Sequence, residues 1–157
     1  MSIPFRIVAL PLQNFSPLFA LEDTELAKRG ARRVTADKHV GFPCRVSLID
    51  ATPGERLILL PFIHHDVASP YRASGPIFVR ESAEEAALAP GQIPDAAATR
   101  LLSVRAYDGA GMMLDCEVTE GSTLPARIEH LFANSQISYL HLHHARAGCY
   151  SCRVERV

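Results

Sequence analysis

The sequence has little net charge, no long apolar run and no familiar cofactor signature, and each absence removes a class of function. With 16 Lys and Arg against 17 Asp and Glu, the formal charge is -1. No overall field therefore draws the chain to nucleic acid or to an anionic membrane. The longest apolar run, Leu57 to Ile63, contains Pro61 and is far too short to cross a bilayer. The opening Met1-Ser2-Ile3-Pro4-Phe5-Arg6 has no basic segment followed by an apolar stretch, so no secretory signal is read and a cytoplasmic protein is expected. There is no nucleophile elbow, P-loop, dinucleotide fingerprint or metalloprotease helix. Gly109-x-Gly111 lacks a third glycine and falls in a hairpin, so no nucleotide cofactor is indicated. The 4 cysteines, in a reducing compartment, are expected as thiols rather than disulfides.

At 157 residues the chain can bury a core without staples, and residues 1–157 read as one domain. The pattern predicts an α+β fold, mainly an antiparallel sheet built from hairpins with a few short covering helices. Strands are expected at Phe5–Leu10, Arg32–Ala36, Arg45–Ile49, Arg56–Phe62, Pro76–Arg80, Leu101–Asp108, Met112–Thr119, Ile137–His144 and Cys149–Val154. Arg56 to Ile63 is apolar on both faces, which suits a central strand. Asp23 can cap a short helix that stops at Gly30. Ser82 with Glu85 offers a capping box, and Asp95 can cap a helix reaching Leu101. The best helix covers Thr123 to Ala133, with Leu124, Ile128, Leu131 and Phe132 on one stripe and His130 pointing away to solvent.

Hairpin geometry predicts which side chains share a face. A three-residue loop after Asp108 pairs it with Met112 and gathers Leu102, Val104, Ala106, Leu114, Cys116 and Val118 on one side, with Arg105 opposite Asp115 as a cross-strand ion pair. An odd loop around Ala145-Arg146-Ala147-Gly148 gathers Leu140, Leu142, Tyr150, Cys152 and Val154. The other face then holds Tyr139, His141, His143, Cys149, Ser151 and Arg153.

His141 and His143 lie one residue apart on a strand, so their imidazoles emerge on one side, about 7 Å apart along the backbone. Both can reach one substrate as acid or base, or one zinc-like metal with Cys149 as a third ligand. A solvated polar strand face satisfies the same pattern without any ligand. Cys149-Tyr150-Ser151-Cys152 does not read as a redox or zinc unit, because a strand points its two sulfurs to opposite faces. Cys44, Cys116 and Cys152 are then small core residues, leaving Cys149 as the reactive thiol. His64-His65-Asp66 and the following loop form a second cluster. There Tyr71, Arg72 and Ser74 can bind a carboxylate or phosphate, or Arg72 can tie the loop to backbone carbonyls.

Ser69-Pro-Tyr-Arg-Ala-Ser-Gly-Pro-Ile-Phe-Val-Arg-Glu81, Arg105-Ala-Tyr-Asp-Gly-Ala-Gly-Met-Met113, His141-Leu-His-His-Ala-Arg-Ala-Gly-Cys-Tyr150 and Phe42-Pro43-Cys44-Arg45 together resemble the bacterial family catalogued as domain of unknown function 1203. The resemblance covers nearly the whole chain. It implies a bacterial single-domain protein and carries no activity or catalytic residue with it.

Two functions follow as expectations. In the first, Arg72 and Arg146 hold a small anionic ligand while His141 or His143 transfers a proton or binds metal, which requires the two clusters to meet. In the second, the chain is a non-catalytic interaction module whose histidine face, with Tyr139 and Arg153, makes a homodimer or partner contact.

Overall fold

The computed structural model describes residues 3–157. It has 19% helix and 37% strand, an α+β protein built mostly of antiparallel sheet. Eight strands form two sheets: β1 (Phe5–Val8), β2 (Arg32–Thr35), β3 (Arg56–His65), β4 (Ala73–Arg80), β5 (Leu101–Tyr107), β6 (Met113–Glu120), β7 (Tyr139–His144) and β8 (Tyr150–Arg156). The larger sheet runs β1-β8-β7-β5-β6 and the smaller β2-β3-β4, so the doubly apolar β3 is central as its sequence requires. Among the described residues three α-helices accompany them: α1 (Asp23–Lys28), α2 (Asp95–Ala98) and α3 (Leu124–Phe132). Among the described residues, no helix is long and apolar enough to cross a membrane.

The α3 stripe is buried as its periodicity dictates. Leu124, Ile128, Leu131 and Phe132 pack on Leu102, Val104, Ala106, Leu140, Leu142, Cys152 and Val154, the apolar face of the larger sheet. Each such side chain contributes about 1.5–3 kcal/mol by leaving water. His130 is exposed on the opposite side of the helix, where its Nε2 lies 3.4 Å from a Glu117 carboxylate oxygen. The smaller sheet has its own core of Leu26, Ile58, Leu60, Ile77, Val79 and Phe15. Gly30 ends α1 at φ +71°, the left-handed conformation for which its missing Cβ is suited.

Several local expectations fail for identifiable reasons. Arg45–Ile49 is a turn rather than a strand: Val46 and Leu48 are buried alternately, but the Leu48 amide bonds back to the Cys44 carbonyl. Ser82 and Glu85 form no capping box, because the Ser82 hydroxyl bonds Glu55 and a Glu85 carboxylate oxygen accepts from the Leu12 amide, 73 residues away. Asp95 opens α2 as its first residue rather than its cap, and that helix stops at Ala98.

The β5–β6 register is the larger correction. Asp108 does bond Met112, but a bulge then skips Leu114, so Arg105 faces Cys116 and Asp115 faces Ala106. One extra residue reverses every side chain beyond it. Leu114, Cys116 and Val118 are consequently exposed on an edge strand, while Glu117 and Thr119 take the core side. Cys116 is thus a surface thiol and not a core residue.

Candidate functional site

Alternation on β7 sends Leu140 and Leu142 into the α3 core and Tyr139, His141 and His143 to the other face, as hairpin geometry predicts. That second face is not open to water. The C-terminal end of β3 crosses it, bringing His64 and His65 onto the histidines and leaving His141 2% and His143 1% exposed. Burial removes both imidazoles from any partner-contact surface.

Two bulges aim the remaining rings. Between Ile63 and His65 the β3–β4 register skips His64, whose ring then lies 5.1 Å from that of His143 and 6.3 Å from that of His141. On β8 the pairing skips Ser151, so Tyr150 sits opposite His143 instead of joining the leucines. Its ring stacks on His64 at 5.2 Å with planes 7° apart. The expected core position of Tyr150 is therefore overturned by one inserted residue.

The five neighbouring histidines differ in their partners. His65 uses both nitrogens: Nδ1 donates to the Tyr71 carbonyl at 2.8 Å, and Nε2 accepts from the Tyr139 hydroxyl at 2.5 Å. It is an anchor. His143 donates Nδ1–H to the Gly148 carbonyl at 2.9 Å, which places the ring lone pair on Nε2. Gly148 holds φ +84°, so its missing Cβ permits the turn that aims this carbonyl. His64 Nδ1, His141 Nδ1 and His143 Nε2 are buried without a hydrogen-bond partner among the described residues, as are both ring nitrogens of His144. One ring nitrogen each from His64, His141 and His143 lies within 4.8 Å of the other two.

Burial is the first cause that holds these imidazoles neutral. It depresses His64 to about 4, with Arg105 adding repulsion, and His141 to about 2, with His65 and His143 adding to the effect. His143 falls to about 4 despite the raising effect of the Gly148 bond.

His144 points the other way, into a separate cavity of about 530 Å³. Lys38, Arg45, Arg100 and Arg146 bring four cations to its wall, together with Cys149 and the apolar Val40, Phe78 and Leu101. Arg45 is 3% exposed, and among the described residues its guanidinium donates only to the Tyr150 carbonyl at 2.7 Å and the Pro43 carbonyl at 2.5 Å. Burial lowers its pKa to about 10, and the charged groups acting on it include no carboxylate. Arg100 is occupied by a bidentate pair with Asp50, at 2.8 and 2.5 Å. Burial raises the Asp50 pKa, but the Arg100 bonds win and hold it below the usual value. Burial, then Arg45 and Arg100, push His144 down to about 3.

The sequence candidates thus divide. His141 and His143 stand together under β3, with His64 rather than Cys149 as the third imidazole or thiolate within reach. Cys149 and Arg146 lie in the cavity wall. Arg72 ion-pairs with Asp66 at an exposed position and does not converge with Arg146. Tyr71 braces the histidine face through its carbonyl and an edge contact to Tyr107 at 6.2 Å. Ser74 sits in a shallow groove with Gly30, Arg32 and Pro61. The cavity residues Lys38, Arg45, Arg100 and His144 went unmarked as site residues. The one sequence signal for them was Arg45, a charge set among Cys44, Val46 and Leu48.

A family model described as "Protein of unknown function (DUF1203)" matches residues 41–156. No curated protein and no solved structure matches the chain.

Proposed function

This chain belongs to the DUF1203 family, and we propose that it is a ligand-binding domain that takes a small anion in the cavity walled by Arg45, Arg100, Arg146 and His144. The observation that carries the reading is the state of Arg45. A buried guanidinium held only by carbonyl dipoles has its hydrogen bonds but not its counter-charge. A carboxylate or phosphate entering the cavity supplies that charge.

Its neighbours complete a cradle of graded strength. Arg100 is rigid because Asp50 already holds both of its terminal nitrogens. His144, neutral at pH 7, can donate one N–H and accept with the other nitrogen, and neither is otherwise used. Arg146 and Lys38, exposed at the rim, attract the anion and close over it. The volume and the apolar Phe78 and Leu101 suit a small organic acid or phosphate ester better than a bare ion.

Calorimetric titration of the full chain at low ionic strength tests the reading, with inorganic phosphate, succinate and citrate as probes and glucose as the neutral comparison. At least one anion is expected to bind with 1:1 stoichiometry and glucose is not. Arg146→Ala should weaken binding by about 10–100-fold, the loss of one charge-assisted hydrogen bond. The proposal fails if none of the three anions binds, or if Arg146→Ala binds them as well as the native chain does.

A further inference from the structure

On the opposite face of β7, His64, His141 and His143 present a second site that does not depend on the anion cavity. We propose that these three imidazoles form a centre for one divalent transition-metal ion of the zinc class.

The argument begins with unused lone pairs. Buried ring nitrogens in proteins almost always find a donor or acceptor, yet one nitrogen on each of these three rings has none among the described residues. The three rings come from two sheets and are brought together by the bulge at His64. Their ligand nitrogens lie within 4.8 Å of one another, whereas a tetrahedral zinc at about 2.0–2.1 Å would set them roughly 3.3 Å apart. Small ring rotations span that difference. His64, partly exposed while the other two are buried, forms the entry.

The orientation of His143 is the one a metal ligand needs. Its Nδ1–H is held by the Gly148 carbonyl, which leaves the lone pair of the buried Nε2 free, the same outer-shell bond that fixes metal-binding histidines generally. The donor set is all nitrogen, which selects zinc, copper, nickel or cobalt over magnesium and calcium, ions that require oxygen.

Three protein ligands leave one tetrahedral position open, the pattern of a catalytic rather than a purely structural zinc. Arg105, opposite His141 on β5, bonds Ser103 at 3.4 Å and puts a positive charge on the histidine face. Arg153, opposite His141 on β8, is partly offset by Glu155 at 2.8 Å. Two cations beside a bound dication favour an anionic fourth ligand, such as hydroxide or a substrate carboxylate.

The test uses the full chain without a histidine tag, stripped with chelator and dialysed against zinc. One zinc per chain is expected, and cobalt(II) in its place should give the strong visible bands of tetrahedral coordination. His64→Ala and His143→Ala should each lose more than the ~10–100-fold typical of removing an outer-shell partner. Cys149→Ser should retain the zinc, separating this set from one that uses the thiolate. Circular dichroism checks that each variant is folded. Where a variant is not, chelator removal and zinc return on the native chain decide, through a reversible rise in melting temperature. Substoichiometric uptake by folded native protein, or native-like zinc affinity in folded His64→Ala, overturns the proposal.

Discussion

Acidification from pH 7.5 to 5.0 probes the buried histidines directly. His141, His143 and His144 are 2%, 1% and 7% exposed and sit at about 2, 4 and 3, against about 6.5 for the same side chain in an unfolded chain. The folded state therefore binds fewer protons than the unfolded state throughout this range. Stability from the neutral rings is fully present above pH 6.5 and is lost as pH falls toward the folded values. At pH 5.0 each ring taken singly accounts for about 2 kcal/mol, from 1.5 pH units at about 1.36 kcal/mol each. The three together come to at most about 6 kcal/mol, a large share of the ~5–15 kcal/mol that holds a domain folded. Glu55, whose carboxylate is held down to about 2 first by its Arg80 bonds, loses its contribution only below about pH 4.5 and stays out of the window. Urea denaturation followed by circular dichroism at four pH values, in chelator, measures the effect. The expected result is a midpoint falling steeply below pH 6.5, with His144→Asn removing about a third of the slope. A midpoint unchanged between pH 7.5 and 5.0 would refute the burial of neutral imidazoles on β7.

Two further outcomes test the packing. Gly121→Ala should destabilise by at least ~1–3 kcal/mol, because its Cβ would meet the Ala97 carbonyl oxygen at 2.1 Å, whereas Gly75→Ala, with nothing within 4 Å, should be close to neutral in the same denaturation assay. In a thiol titration of native protein, exposed Cys116 should react first. Cys44 and Cys152 should stay silent until urea is added, burial having pushed Cys152 up to about 12.

Much of the fold was legible because it rests on local rules. The 3.6-residue stripe of α3, the apolar run of β3 and the alternation along β7 each name a buried face from a few neighbouring residues. Beyond Arg45–Ile49, where a turn gives a strand's alternate burial, the expectations that fail on the strands are those where a single bulge intervenes. Leu114 and Ser151 carry no signal that marks them as skipped, and yet they turn Cys116 outward and Tyr150 from the leucine face to the histidine face.

The candidate site was half legible for the same reason. Period two on a strand put His141 and His143 on one face, and that much follows from the sequence alone. It could not say that β3 would cover the face, that bulged His64 would be the third imidazole, or that Cys149 would leave for a cavity with Arg45 and His144. Those contacts join residues about 80 to 100 positions apart, and their geometry depends on how two sheets settle against each other. Local pattern determines which way a side chain points from its own strand; only the packed tertiary structure decides what it meets there.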